Sequence, residues 1–535
     1  MNFILKKQLS CLCFTLLASS ATLADNNELW ISPNIETTIK QALQAFSTPG
    51  MAVGIVYQGK TLHLKGYGLR EINRPEKIDD KTLFRLASVS KAFTAASIAL
   101  LVDEGKLNWQ DKVTDYIPEF KMQDHWVTGE FTIKDLLTHK SGLVSGAGDS
   151  MLWPEPSGFT RIEIIHNLRY LTPEYSFRSQ YAYSNVLYIV AGELVAKVSN
   201  MPWADFVEQH IFKPLNMSCY AGDIPLNMRT NIASAHGDNN GELFIIPRNA
   251  ILGKETVSAP AGGIVCNAKS MINWLKLLLN QAKNIKNSAL NNGDSRETVT
   301  LFSTEQFKQL WHSETLLPIS EHAQNYDQTF FKTYALGWRK ANFLGYQLVS
   351  HTGTLSGYQA YIALIPKLEL GVILLNNGSN SGARAAVMQT ILRAFINPED
   401  NTNWVTHYQA YRQLQQQKYL AKHQKPQGSG KVWYDLNAYA GTYKDKWFGK
   451  VTITETMKTL YFSAEKMPQL HGTLIPFNQH SFVVNWDNKN AANDALLSFK
   501  TNITGEVTHF TMTPYTNNVS ISHEYRDMIF LRHTE

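Results

Sequence analysis

Ser88-Val89-Ser90-Lys91 sets a hydroxyl and an amine three residues apart. On a helix that spacing brings both to one face, within reach of each other. A serine hydroxyl is a poor nucleophile at its own pKa and needs an adjacent base. A lysine that is desolvated, or set near other cations, loses its proton near neutral pH and can be that base. A helix start also turns free backbone N–H groups and the positive dipole end toward developing negative charge. The chemistry implied is acyl transfer through a serine ester. The spacing alone is weak, because a chain of this length holds about two Ser-x-x-Lys sets by chance. A second one stands at Ser463-Ala464-Glu465-Lys466, beside a strand pattern and before Pro468. The set at Ser88 differs: small and apolar residues recur at helical spacing from Ala87 to Leu101, and Gly105 follows as a C-cap. The sequence contains no Gly-x-Ser-x-Gly elbow and no His-Glu-x-x-His, and its 16 histidines show no close ligand pairing. Neither a metal nor an organic cofactor is expected.

The flanks are more specific. Phe84-Arg85-Leu86-Ala87-Ser88-Val89-Ser90-Lys91-Ala92-Phe93-Thr94 resembles the active-site segment of the serine β-lactamase and penicillin-binding protein superfamily, nearest its class C and D-aminopeptidase-like branch. The resemblance continues in the same order through Thr132–Leu143, Tyr183-Ser184-Asn185, Pro260-Ala261-Gly262-Gly263-Ile264 and His351-Thr352-Gly353, and covers roughly residues 35 to 395. It implies Ser88 as the acylated nucleophile, Lys91 as its proton partner and Tyr183 as the tyrosine sharing proton transfer. Which of Lys91 and Tyr183 is the acylation base stays open here. Asn185 would hold Lys91 and a substrate amide oxygen, and the backbone N–H groups of Ser88 and Thr354 would form the oxyanion hole. His351, Thr352, Gly353 and Thr354 are expected to bind substrate. His351 stands where many β-lactamases carry lysine, so it is expected to face a substrate carboxylate and to make penicillin hydrolysis inefficient. His139 is read as structural. Tyr515-Thr516-Asn517 also fits Tyr-x-Asn but follows Pro514 in a turn-like stretch.

The elements that must position these groups read as an α+β fold. Ile35–Phe46 has helical spacing, and Met51–Tyr57 with Thr61–Tyr67 reads as a hairpin. Residues 110–330 read as helices and long loops. Strands are expected at Tyr346–His351, Gln359–Ile365 and Gly371–Asn376, with a helix at Ala383–Phe395. The resemblance implies an antiparallel sheet flanked by helices, with a helical subdomain. The domains are read as 25–400 for this hydrolase unit, 401–430 as a helical linker ending in Pro426-Gln427-Gly428-Ser429-Gly430, and 431–535 as a small all-β unit. Six strands are expected in the last, which suggests a barrel or sandwich. It resembles the β module often appended to such hydrolases.

At 535 residues the chain exceeds a single core. Residues 1–24 have the layout of a signal peptide, with Lys6-Lys7, the apolar Leu9–Leu17 and small residues to Ala24. Export to the periplasm or beyond is therefore expected, without stable membrane insertion. A net charge of +5 is too weak for a nucleic-acid partner. Cys219 and Cys266 would remain, either bridged or as two buried thiols. The expected function is a serine hydrolase cleaving amides or esters, such as D-residue peptides or cell-wall fragments. The alternatives are a β-lactamase and a catalytically silent scaffold. Substrate identity and oligomeric state are not readable from the sequence.

Overall fold

Two chain ends build one sheet. Gly50–Tyr57 (β1) and Lys60–Gly68 (β2) form the expected hairpin, following the helix Pro33–Ala45 (α1). In the computed structural model, residues 33–222, 224–239, 241–247, 256–281, 283–285, 298–488, 490, 494–516 and 525–533 are described. The expected signal peptide lies outside them. Among the described residues no helix is long and apolar enough to cross a membrane.

The remaining strands are Thr315–Leu316 (β3), Lys332–Tyr334 (β4), Arg339–Phe343 (β5), Tyr346–Leu355 (β6), Tyr358–Ile365 (β7) and Leu370–Asn376 (β8). The sheet runs β2-β1-β8-β7-β6-β5-β4-β3 with antiparallel pairs throughout. β8 is buried at all seven positions, as a strand covered on both faces must be. One face packs on α1 and on Gly382–Ile396 (α3). The other packs on Ser90–Asp103 (α2) and the helical subdomain. α2 is buried from Ser90 to Leu101, so its small residues face neighbours all round. Gly105 takes the left-handed conformation just beyond it, at φ 67°. β3 falls at the end of the stretch read as helices and long loops, β4 and β5 fall between that stretch and the strand expected at Tyr346, and all three extend the sheet.

The linker reading needs correction. Trp404–Lys422 is a helix (α4), but Trp404 and Val405 are buried against the core beside α1 and α3, with the Arg393 guanidinium 4.2 Å from the Trp404 ring. Its start belongs to the first unit. The C-terminal unit is a closed barrel of eight strands, two more than expected: Gly441–Asp445, Gly449–Thr456, Thr459–Ala464, His471–Gln479, Ser481–Trp486, Ala495–Thr501, Val507–Pro514 and Ile529–His533.

The barrel docks on one segment. Gly158 N donates to the Lys466 carbonyl (2.7 Å), Asn167 Nδ2 to the Trp447 carbonyl (2.8 Å) and Thr172 N to Asp527 (3.0 Å). Lys466 pairs with Glu163 and Arg526 with Glu174. Glu163 also closes a capping box with Thr160 on the helix Arg161–Asn167. Cys219 and Cys266 form a disulfide, with Cα atoms 4.3 Å apart.

Candidate active site

Ser88 sits in a single 3₁₀ turn, Ala87–Val89, that leads into α2. Ala87 before it has φ 48°, a left-handed conformation that costs an L-residue about 1–2 kcal/mol. The turn is held from both sides. Gly353 on β6 lies so close that an added Cβ would come within 2.1 Å of the Leu86 carbonyl and 3.1 Å of the Ala87 Cβ. On the α2 side, Ile264 N donates to Ser90 Oγ (3.1 Å) and Thr94 Oγ1 to the Pro260 carbonyl (2.7 Å), which binds Pro260–Ile264 to the helix.

Lys91, one turn on, is fully buried. Its Nζ donates to Asn185 Oδ1 (2.7 Å) and to the Ala261 carbonyl (2.8 Å), and lies 3.4 Å from Ser88 Oγ. Burial pushes its pKa well down and Arg339 adds to this, against the pull of Asp149. A neutral amine has two hydrogens, and the two carbonyl-type acceptors use both. The lone pair is then left toward the serine.

Tyr183 arrives on a loop fixed at several points. Its N–H donates to Ser145 Oγ (2.9 Å) and its carbonyl accepts from Gly146 N (2.8 Å). The next N–H, of Ser184, donates to His139 Nδ1 (3.0 Å). His139 is fully buried, and its ring centre is 4.3 Å from that of Tyr183. Desolvation first, then Lys91 and Arg339, drive its pKa well below the usual value, so it stays neutral and positions Tyr183. Burial pushes the Tyr183 phenol up, opposed by Arg339 and the Ser88 hydroxyl. Asn185 opens the helix Val186–Ser199, and its Nδ2 donates to Asp149 Oδ2 (2.9 Å).

Ser88, Tyr183, Asn185 and Asp149 line a cleft of about 310 Å³ with Trp153, Gly262, Arg339, Thr352, Thr354 and Leu355. A larger cavity of about 500 Å³, lined by Arg70, Arg85, Arg229 and Tyr358 among others, reaches Arg85 of the first motif segment but not Ser88, Tyr183, Asn185 or Thr352, so the smaller one is the site.

His351 and Gly353 need correction. Strand alternation along β6 turns Thr352 and Thr354 to the cleft and the other two away. His351 is fully buried; its Nδ1 donates to the Thr352 carbonyl (2.8 Å) and its Nε2 accepts from the Tyr334 hydroxyl (3.0 Å). Desolvation, then Arg339 and Lys91, push its pKa well down. It is a neutral interior histidine, and Gly353 acts through its missing Cβ. The cation of the cleft is Arg339, paired with Ser350 across β5 and β6, its guanidinium 5.8 Å from the Tyr183 ring centre.

Arg339 and Asp149 were not singled out from the sequence, nor was Arg384. The last donates to the carbonyls of Gly353 and Ala360 and to Thr354 Oγ1 (2.9 Å), fixing the end of β6. The second Ser-x-x-Lys is no site: Ser463 Oγ donates to the Thr452 carbonyl (3.4 Å) and Lys466 turns to Glu163. Tyr515 donates to the Pro426 carbonyl (2.7 Å), and Asn517 lies outside the described residues. Among the described residues no group of three or more His, Cys, Asp or Glu could hold a metal.

The beta-lactamase family model matches residues 35–394. The chain belongs to the beta-lactamase family. A domain of unknown function, DUF3471, matches residues 434–530, the barrel. Unguisins hydrolase ungD' of Aspergillus campestris is 26% identical over 83% of this chain and 82% of its own. Protein flp of Staphylococcus aureus strain MW2 is 27% identical over 64% of this chain and 62% of its own. The octameric penicillin-binding protein homologue from Pyrococcus abyssi superposes with a TM-score of 0.58 at 20% identity, over 93% of this chain and 99% of that one. This beta-lactamase family member therefore shares its fold with that homologue over most of its length.

Proposed function

We propose that this family member is a serine hydrolase that cleaves amides or esters through an acyl-enzyme on Ser88. The observation that carries the reading is the buried Lys91 amine, 2.7 Å from Asn185 Oδ1, 2.8 Å from the Ala261 carbonyl and 3.4 Å from Ser88 Oγ. Ser88 Oγ attacks the carbonyl carbon as its proton passes to Lys91. The oxyanion is met by the backbone N–H groups of Ser88 and Thr354. Lys91, through the Tyr183 hydroxyl, returns the proton to the leaving nitrogen or oxygen, and a water then cleaves the ester, restoring Ser88. Lys91 is the acylation base in this reading: its Nζ lies 3.4 Å from Ser88 Oγ, and burial lowers its pKa while raising that of Tyr183.

The substrate class is a peptide, of D-residues or from the cell wall, with a carboxylate bound by Arg339. Guanidinium suits that group through its planar pair of donors. The same guanidinium could receive the carboxylate of a β-lactam, which keeps β-lactam hydrolysis as the second reading. The export signal read in residues 1–24 and the Cys219–Cys266 bridge support action outside the cytoplasm.

Intact-mass analysis after exposure to a fluorophosphonate tests the reading. One label is expected in the parent protein and in Ser463→Ala, and none in Ser88→Ala. A label that persists in Ser88→Ala overturns it.

A further inference from the structure

Two charged groups of the cleft keep unused hydrogen-bonding atoms. Asp149 Oδ1 and Arg339 Nη1 are both buried without a hydrogen-bond partner. Both residues line the cleft beside Ser88. Both also lie near enough to Tyr183 to act on its phenol, in opposite directions. A buried carboxylate oxygen left unpaired costs more than a neutral acceptor would. The other Asp149 oxygen is held by Asn185 Nδ2 at 2.9 Å, which fixes the carboxylate in place. The Asp149 backbone N–H is bonded to the Gly146 carbonyl (3.0 Å), so the loop itself is anchored. The scissile carbonyl must sit at Ser88, with any carboxylate of the substrate at Arg339. The acidic Asp149 is then the counterpart for a cationic group elsewhere on the substrate.

We propose that Asp149 is a specificity-determining residue that receives the free ammonium of a short peptide or amino-acid derivative, so that the substrate is zwitterionic. The inference rests on the hydrolase reading and names the substrate class of that same cleft. An ammonium donates to Oδ1, satisfies the orphaned atom and neutralises the carboxylate. An N-acylated substrate brings no charge there and leaves Oδ1 without a partner.

Binding is measured by calorimetry on Ser88→Ala, which cannot turn substrate over. The probes are D-alanyl-D-alanine, L-alanyl-L-alanine and the N-acetyl form of each. At least one free-amine dipeptide should bind about tenfold or more tightly than its acetylated form, as a charge-assisted hydrogen bond requires. Adding Asp149→Asn should bring that ratio within about twofold, chiefly by weakening the free-amine probe. Adding Asp149→Glu instead, which keeps the charge, should retain a clear preference. Binding of no free-amine dipeptide, a ratio near one, or a ratio unchanged by Asp149→Asn overturns the inference. Fluorophosphonate labelling of Ser88 needs no amine. A protein that labels normally but shows no amine preference therefore contradicts this inference alone and leaves the hydrolase reading standing.

Discussion

Lys91 and Asp149 are coupled charges, and their coupling gives a pH test at the level of single residues. Burial pushes the Asp149 carboxyl up to about 7, against the Asn185 hydrogen bond and the Lys91 charge, while Lys91 is pushed well down. Arg339 also acts on Lys91, lowering it, and Tyr183 stays protonated beside them. As pH rises through about 7, Asp149 becomes an anion and holds the Lys91 proton more tightly. Removing that anion by Asp149→Asn should let Lys91 deprotonate earlier. The rising limb of the labelling rate against pH, measured with a neutral fluorophosphonate, should therefore move to lower pH. A shift to higher pH would contradict the assigned sign. Ser88, Lys91, Tyr183 and Asn185 were legible in the sequence because short motifs carry them. Asp149 and Arg339 were not, since an aspartate at the start of a three-residue 3₁₀ turn and an arginine on a five-residue polar strand leave no motif or periodicity to find.

At the scale of elements, β6 decides which third-motif residues face the cleft. The sequence located this strand, but its expected end at His351 left open which face each following residue takes. Alternation then turns His351 inward, which a residue type alone does not reveal. His351→Lys should therefore not create a substrate-facing cation. It would bury an ammonium beside Arg339 and Lys91, at a cost of several kcal/mol. The expected outcome is a melting temperature lower by about 5 °C or more with no gain in β-lactam hydrolysis. Increased β-lactam turnover at unchanged melting temperature would show that the side chain reaches the cleft after all. The barrel strands Gly441–Asp445 and His471–Gln479 escaped the sequence reading for a related reason. The first is short and follows a tyrosine-rich turn, and the second carries Pro476, where its pairing register shifts.

Across the whole molecule, the barrel meets the catalytic unit on residues 158–174, between Trp153 of the cleft wall and Tyr183. No described barrel residue lines the cleft, so its influence runs through this segment. Lys466→Glu, facing Glu163, should loosen the wall and slow Ser88 labelling by up to about tenfold, the scale of small misplacements near reacting groups. Pairing it with Glu163→Lys should restore most of the rate. Equal rates in the parent and the single variant would make the barrel a passive attachment. This docking surface was not legible in the sequence, because its contacts join residues about 280 to 355 positions apart through backbone groups and scattered charges.

The most direct measurement is the second-order rate of fluorophosphonate labelling at Ser88 in the parent protein and in Lys91→Met, with folding of both checked by melting. Methionine fills the buried space but offers no base. The predicted result is a loss of about 100-fold or more at neutral pH, in the range ascribed to a positioned base. A folded Lys91→Met protein that labels Ser88 at the parent rate would contradict the account.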